Sequence, residues 1–255
     1  MGCGTVIVDS PQWMNLDINS SHESVMDFTL NELHKGGFAG KFQAIYCSHL
    51  IEHLTRDELV SFLSDCSRLL KSGGGMRLVT PDFDSIVKNY SEELTSGNVG
   101  RAEFEKVLLL EQCVRLQPSG TYRTDVERLV RLSPSLSDYI TERTGVSSTG
   151  TKEVSLAREK DKSLTASFRR ARLRWGKKFR RRYIETLRSI APASLKNNIA
   201  TTDAGERHQW IYSFYELDHV GLSLGFGSVV QMSGFESKLL STEDLGVLDL
   251  TRSGD

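Results

Sequence analysis

The stretch from Phe42 to Phe83, FQAIYCSHLIEHLTRDELVSFLSDCSRLLKSGGGMRLVTPDF, constrains the chain more than any other. Ala44-Ile45-Tyr46-Cys47 is a short apolar run of strand formers that ends at Ser48-His49. Thr55 followed by Glu58 has capping-box spacing, in which hydroxyl and carboxylate each take an orphan backbone N–H at a helix start. Leu59, Phe62, Leu63, Cys66, Leu69 and Leu70 then recur at three and four residues, which predicts one apolar helix face. Lys71 falls in the last turn, where it suits the dipole, and Gly73 or Gly74 offers a left-handed stop. Met76 to Thr80 reads as a second strand, ended by Pro81. Strand, crossover helix and strand of these lengths specify a right-handed parallel unit and an α/β fold.

The 255 residues suffice for one α/β domain with an insertion, or for two small domains. A net charge of −1 gives no global field that would favour nucleic acid or membrane. Cys3, Cys47, Cys66 and Cys113 form no CxxC pair and no metal-ligand spacing, so no metal is expected and reduced thiols are the plain reading. With no long apolar run and no signal pattern at the N-terminus, the chain reads as soluble and cytoplasmic.

Gly2-Cys3-Gly4 is a glycine turn of the kind that lets backbone approach a charged ligand. It gains weight from Asp17, which follows Met14-Asn15-Leu16 and would end a strand. A carboxylate in that place accepts both hydroxyls of a ribose. The gap of 13 residues from Gly4 to Asp17 is shorter than the roughly 20 of a dinucleotide fold, and Pro11 argues against a full helix between them. Ser24 to Phe28 reads as a further strand. Ser48 and His49 stand at the carboxyl end of the Ala44 strand, where ligands lie in open α/β sheets. The imidazole of His49 has two readings there: a base for an acceptor hydroxyl, or a buttress of the loop. For Glu52 and His53, hydrogen bonds that fix the loop are expected rather than chemistry.

CSHLIEHL followed by RLLKSGGGMRLVTPDF resembles the fourth-strand to fifth-strand segment of class I S-adenosylmethionine-dependent methyltransferases, in particular the methyltransferase type 11 group. GCG at 2–4 with WMNLDI at 13–18, and GERHQWIYSFYELDHVGLSLGF at 205–226, fit the same pattern. The resemblance covers roughly the first 90 and the last 50 residues and leaves the middle unmatched. It implies a Rossmann-like, mostly parallel seven-strand sheet with helices on both faces, and S-adenosyl-L-methionine as cofactor. Gly2, Gly4, Asp17, Asp27, Phe28 and Ser48 are then the expected cofactor-binding residues, with Asp27 and Phe28 at the adenine. His208 and Tyr212 are expected on the acceptor side, and Val229 to Met232 as a late strand. The family's first core strand would precede Gly2 and its last would follow Met232. The chain is therefore expected to lack both, or its natural reading frame to start upstream.

Residues 101–117 carry a helical pattern, with Phe104, Val107, Leu108, Glu111 and Val114 near one stripe, and TGVSSTGTK at 144–152 reads as a linker. Between Arg158 and Arg188, thirteen Lys/Arg stand against three acids, a segment of +10 in a chain whose remainder is −11. Leu164, Phe168, Trp175, Phe179, Tyr183, Leu187 and Ile190 make a helical stripe through it. Three readings are open: a helix lying on an anionic membrane, a helix tracking nucleic-acid phosphates, or a solvated helix packing its stripe on the domain.

The expected organisation is a methyltransferase core at 1–143, a linker and basic helical insertion at 144–204, and the rest of the core at 205–255. The expected activity is methyl transfer to an oxygen or nitrogen of a small-molecule or glycan acceptor, with peripheral contact to an anionic membrane through 158–190. The competing expectation is a non-catalytic relative that docks on a membrane or partner through its basic helix.

Overall fold

Thr55 opens α1 (Arg56–Leu69) with the expected reciprocal cap: its Oγ1 accepts the Glu58 N–H at 3.3 Å, and a Glu58 carboxylate oxygen accepts the Thr55 N–H at 2.8 Å. Leu59, Phe62, Leu63, Cys66 and Leu69 are buried as the helical spacing predicts, against Ile45, Cys47, Ile51 and Leu54. Each large apolar side chain buried this way stabilises the fold by about 1.5–3 kcal/mol. The computed structural model describes residues 1–3, 7–18, 22–27, 37–116, 120–145, 179–180, 182–196, 199–200, 207–232, 236–240 and 248. The chain divides into two compact units: Met1–Ser20, Ser24–Lys88 and Gln209–Asp255 form the first, and Ser21–Glu23 and Asn89–His208 the second. The first unit is thus interrupted after Lys88 and resumes at Gln209.

Among the described residues the first unit holds four strands, β1 (Asn15–Asp17), β2 (Val25–Asp27), β3 (Phe42–Ser48) and β4 (Leu70–Val79). β3 and β4 pair in parallel on either side of α1, as the sequence requires. The helix stops earlier than expected, because Leu70 already has an extended backbone and begins β4. Phe42 faces Leu70, but Ala44 faces Gly75, so Lys71 to Gly74 bulge out of the ladder. Gly73 and Gly74 serve that bulge rather than a helix stop. Gly73 has φ 75°, and a Cβ on Gly74 would lie 2.9 Å from the Gln43 carbonyl oxygen and 3.0 Å from that of Lys71. From Gly75 to Val79 the pairing with Ala44 to Ser48 is regular.

β1 and β2 also pair in parallel, with Asn15 opposite Val25, Leu16 opposite Met26 and Asp17 opposite Asp27. Among the described residues these are two separate two-stranded sheets, so the molecule is α/β but the continuous seven-strand sheet is not seen. Met1 to Cys3 bridge the two: the Met1 ammonium donates to the Tyr46 carbonyl at 2.7 Å, and the Cys3 N–H to that of Leu16 at 3.2 Å. Three residues are too few to pair along both edges. Val229 to Met232, expected as a strand, has no ladder; Gln231 instead donates its side-chain amide to Asp82 at 3.4 Å. α2 (Phe83–Thr95) follows β4 as expected, and α7 (Phe214–Ser223) starts at a second capping box, made by Ser213 and Glu216.

In the second unit α3 (Val99–Val114), α4 (Tyr122–Leu132) and α5 (Leu136–Thr144) pack around Phe104, Val107, Val126, Leu129, Leu136 and Ile140. Val114 was expected on the packed stripe and is exposed, since the helix ends there. Glu105 is fully buried and fully engaged: it accepts from the Tyr139 hydroxyl at 2.7 Å and from Arg143 Nε and Nη2 at 2.7 and 3.0 Å. Such a forked pair is the arrangement that makes a buried carboxylate tolerable. Residues 182–190 are helical and lead to α6 (Ala193–Lys196). The expected linker beyond Gly145 and the basic segment up to residue 178 lie outside the described residues. Among the described residues no helix is long and apolar enough to cross a membrane.

Candidate functional site

The carboxyl ends of the parallel strands gather the chemistry of the first unit. Asp17 is the last residue of β1 and Asp27 the last of β2, and the two are direct register partners. Asp17 Oδ1 accepts the Ile18 N–H at 2.7 Å, which fixes the carboxylate's direction, and Oδ2 lies 3.9 Å from the Cys3 thiol. Burial, and then the neighbouring Asp17 charge, push the Cys3 thiol up to about 11. Gly2 adopts φ 63°, a left-handed turn that glycine takes without strain, and lays its backbone beside β1.

A small cleft of about 80 Å³ lies between β1 and β3, lined among others by Gly2, Cys3, Leu16, Ile45, Tyr46 and Ser48. It is well below the roughly 300–1,000 Å³ of drug-sized ligand pockets. Asp17 and His49 each follow a lining residue, Leu16 and Ser48, directly in the chain and do not themselves line the cleft.

His49 is the one non-glycine residue among those described with a positive φ, 51°. A left-handed backbone at such a residue costs on the order of 1–3 kcal/mol and persists only where its surroundings enforce it. Here they do. The His49 N–H is latched to the Val79 carbonyl at 2.8 Å, and Nδ1 lies 2.9 Å from Glu52 Oε1. The Glu52 side chain is fully buried while that of His49 is half exposed. Burial pushes the Glu52 carboxyl up, but hydrogen bonds from His49 and from the backbone, with the nearby His49 and His53 rings, outweigh it and hold the group below the ordinary carboxylate range. An ionised carboxylate only accepts, so Nδ1 donates, and in the neutral imidazole the lone pair is then on Nε2.

Glu52 does more than fix a loop. Thr80 Oγ1 donates to its other oxygen at 3.4 Å, and its backbone carbonyl accepts the N–H groups of Gln209 and Trp210 at 2.7 and 3.2 Å. One residue in the turn Ile51–His53 thus orients the imidazole and pins the returning C-terminal segment. The sequence carried a usable signal for this, an acid three residues after a histidine at a strand's carboxyl end.

The two acceptor-side expectations fare differently from the strand-end residues. Tyr212 is buried in the core of the first unit and its hydroxyl donates to the Leu54 carbonyl at 3.2 Å. His208 belongs to the second unit, where its N–H donates to the Gln112 carbonyl at 3.1 Å. Trp210 lies under the Arg56 guanidinium, 4.0 Å from its ring centre, and donates its indole N–H to Glu216 at 3.3 Å. Gly4 and Phe28 lie outside the described residues. No family model, no curated protein and no solved structure matches the chain.

Proposed function

We propose that the chain is an S-adenosyl-L-methionine-dependent methyltransferase that acts on an oxygen or nitrogen of a small-molecule or glycan acceptor. The observation that carries this reading is the register pairing of Asp17 with Asp27 at adjoining strand ends, beside a cleft that the Gly2 backbone lines. The donor set fits the cofactor. A carboxylate at the end of β1 accepts ribose hydroxyls, a second acid one strand further out suits the adenine amine, and a glycine turn admits the amino-acid part. When bound, the cofactor supplies an electrophilic methyl group on a sulfonium.

The chain's own residues then hold, orient and deprotonate. Asp17 and Asp27 fix the nucleotide end, and the backbone of Gly2 and Cys3 limits how the other end lies. His49 Nε2 takes the proton of an acceptor hydroxyl, while Glu52 keeps Nδ1 protonated and stabilises the imidazolium that forms. Most of the rate comes from alignment of acceptor and methyl group. Calorimetric titration of the chain with S-adenosylmethionine and S-adenosylhomocysteine tests the reading. Saturable binding of both is expected, and no heat at millimolar ligand would overturn it.

A further inference from the structure

The helical run near the end of the second unit leaves its apolar stripe uncovered. Phe179, Tyr183, Leu187 and Ile190 follow one another at four, four and three residues, which sets them on one helix face. All four are exposed, Phe179 at 77%, Tyr183 at 60% and Ile190 at 74% of their full surface. A helix that packs its stripe on its own domain would bury these side chains first. Arg180 and Arg182, also exposed, stand one residue from Phe179 and Tyr183 and so border the stripe. They belong to a segment in which thirteen Lys/Arg oppose three acids.

We propose that this face is a docking surface for an anionic lipid bilayer, the helix lying in the interface with Phe179, Tyr183, Leu187 and Ile190 in the acyl boundary. Charge complementarity decides the occupant. A second copy of the same helix would bring two strongly positive segments together, which is repulsive. Nucleic-acid phosphates would engage the arginines but would leave Leu187 and Ile190 in water, whereas a bilayer takes both groups at once. The arginines can rest their stems along the stripe and place their guanidinium groups among lipid phosphates. This inference is independent of the methyltransferase reading.

Co-sedimentation of the whole chain with vesicles tests it, comparing phosphatidylcholine alone with phosphatidylcholine mixed with phosphatidylglycerol. Binding is expected only with the acidic lipid and should fade as salt is raised, because screening shortens the reach of the arginines. Arg180→Gln with Arg182→Gln should weaken it roughly fivefold per arginine. Phe179→Ser with Ile190→Ser should weaken it at least about tenfold. These side chains are exposed, so the thermal melt of both variants should match the parent, which separates lost docking from lost fold. Equal binding to both vesicle types, or binding to neither, overturns the proposal. So does retention of single-stranded RNA without vesicle binding, or a dimer that Phe179→Ser with Ile190→Ser abolishes.

Discussion

Asp17 and Asp27 are register partners at the carboxyl ends of two parallel strands. In the proposed complex, Asp17 accepts hydroxyls of the ribose. A charged hydrogen bond to a hydroxyl contributes about 1.5–3 kcal/mol. Asp17→Ala is therefore expected to weaken S-adenosylmethionine binding by roughly 10- to 150-fold in calorimetric titration. Asp17→Asn should retain part of the affinity, since an amide oxygen still accepts. Unchanged affinity in Asp17→Ala would remove the ribose role.

Glu52 and His49 make a pair whose members separate experimentally. His49→Ala should leave cofactor affinity nearly intact and lower methyl transfer by about 10²- to 10⁴-fold, the usual weight of a general base. Glu52→Gln should also lower turnover and, because an amide can donate to Nδ1, should change the pH profile of turnover as well. A purely structural role for Glu52 would lower stability and leave that profile where it was.

Much of the first unit was legible because its signals are local. Thr55 and Glu58 cap α1 through contacts three residues apart, and the buried face of α1 follows from spacing alone. The extent of β4 was not legible. Gly73 or Gly74 reads as a helix stop, and only the ladder register and the approach of the Gln43 and Lys71 carbonyls show that both lie in a bulge. The burial of Tyr212 was not legible for a related reason, since its hydroxyl partner, Leu54, lies 158 residues away. α4 and α5 carry local patterns of the same kind, Val126 with Leu129 and Leu136 with Tyr139 and Ile140.

Gly74→Ala gives a direct test of the bulge. Its new Cβ would press on backbone oxygens that cannot swing aside, so a loss of about 1–3 kcal/mol is expected in urea denaturation. Gly97→Ala has no neighbour within 4 Å but carries φ 77°, so it reports backbone strain without a clash and serves as the control.

In the second unit, Glu105→Ala leaves the Arg143 guanidinium and the Tyr139 hydroxyl without their shared acceptor. Removing one member of a buried pair costs about 3–5 kcal/mol. Replacing the pair together, Glu105→Leu with Arg143→Met, should recover most of that loss, and a double-mutant cycle in urea measures the difference.

Acid stability follows from two carboxyls. Glu52 and Glu111 are both held below their ordinary value of 4.5, for Glu111 because Arg115 and the Thr121 N–H outweigh the effect of burial. A group lowered on folding contributes stability that is fully present above its unfolded value and is lost as pH falls through its folded value. Stability is expected to be flat from neutral pH down to about 5 and to fall below about 4.5, with Glu52→Gln flattening part of that slope. Unfolding free energies measured across that range check it.

The bulge at Lys71 to Gly74 also sets where the chain can change length. The rungs that carry Val79, and through it the backbone of His49, begin only at Gly75. α1 ends at Leu69, so every residue between helix and ladder is slack rather than spacer. A residue gained or lost there lengthens or shortens a solvent-facing kink and leaves the reading frame of the rungs from Gly75 to Val79 in place. One gained between Gly75 and Val79 would turn every following side chain to the opposite face and unhook the imidazole from its strand.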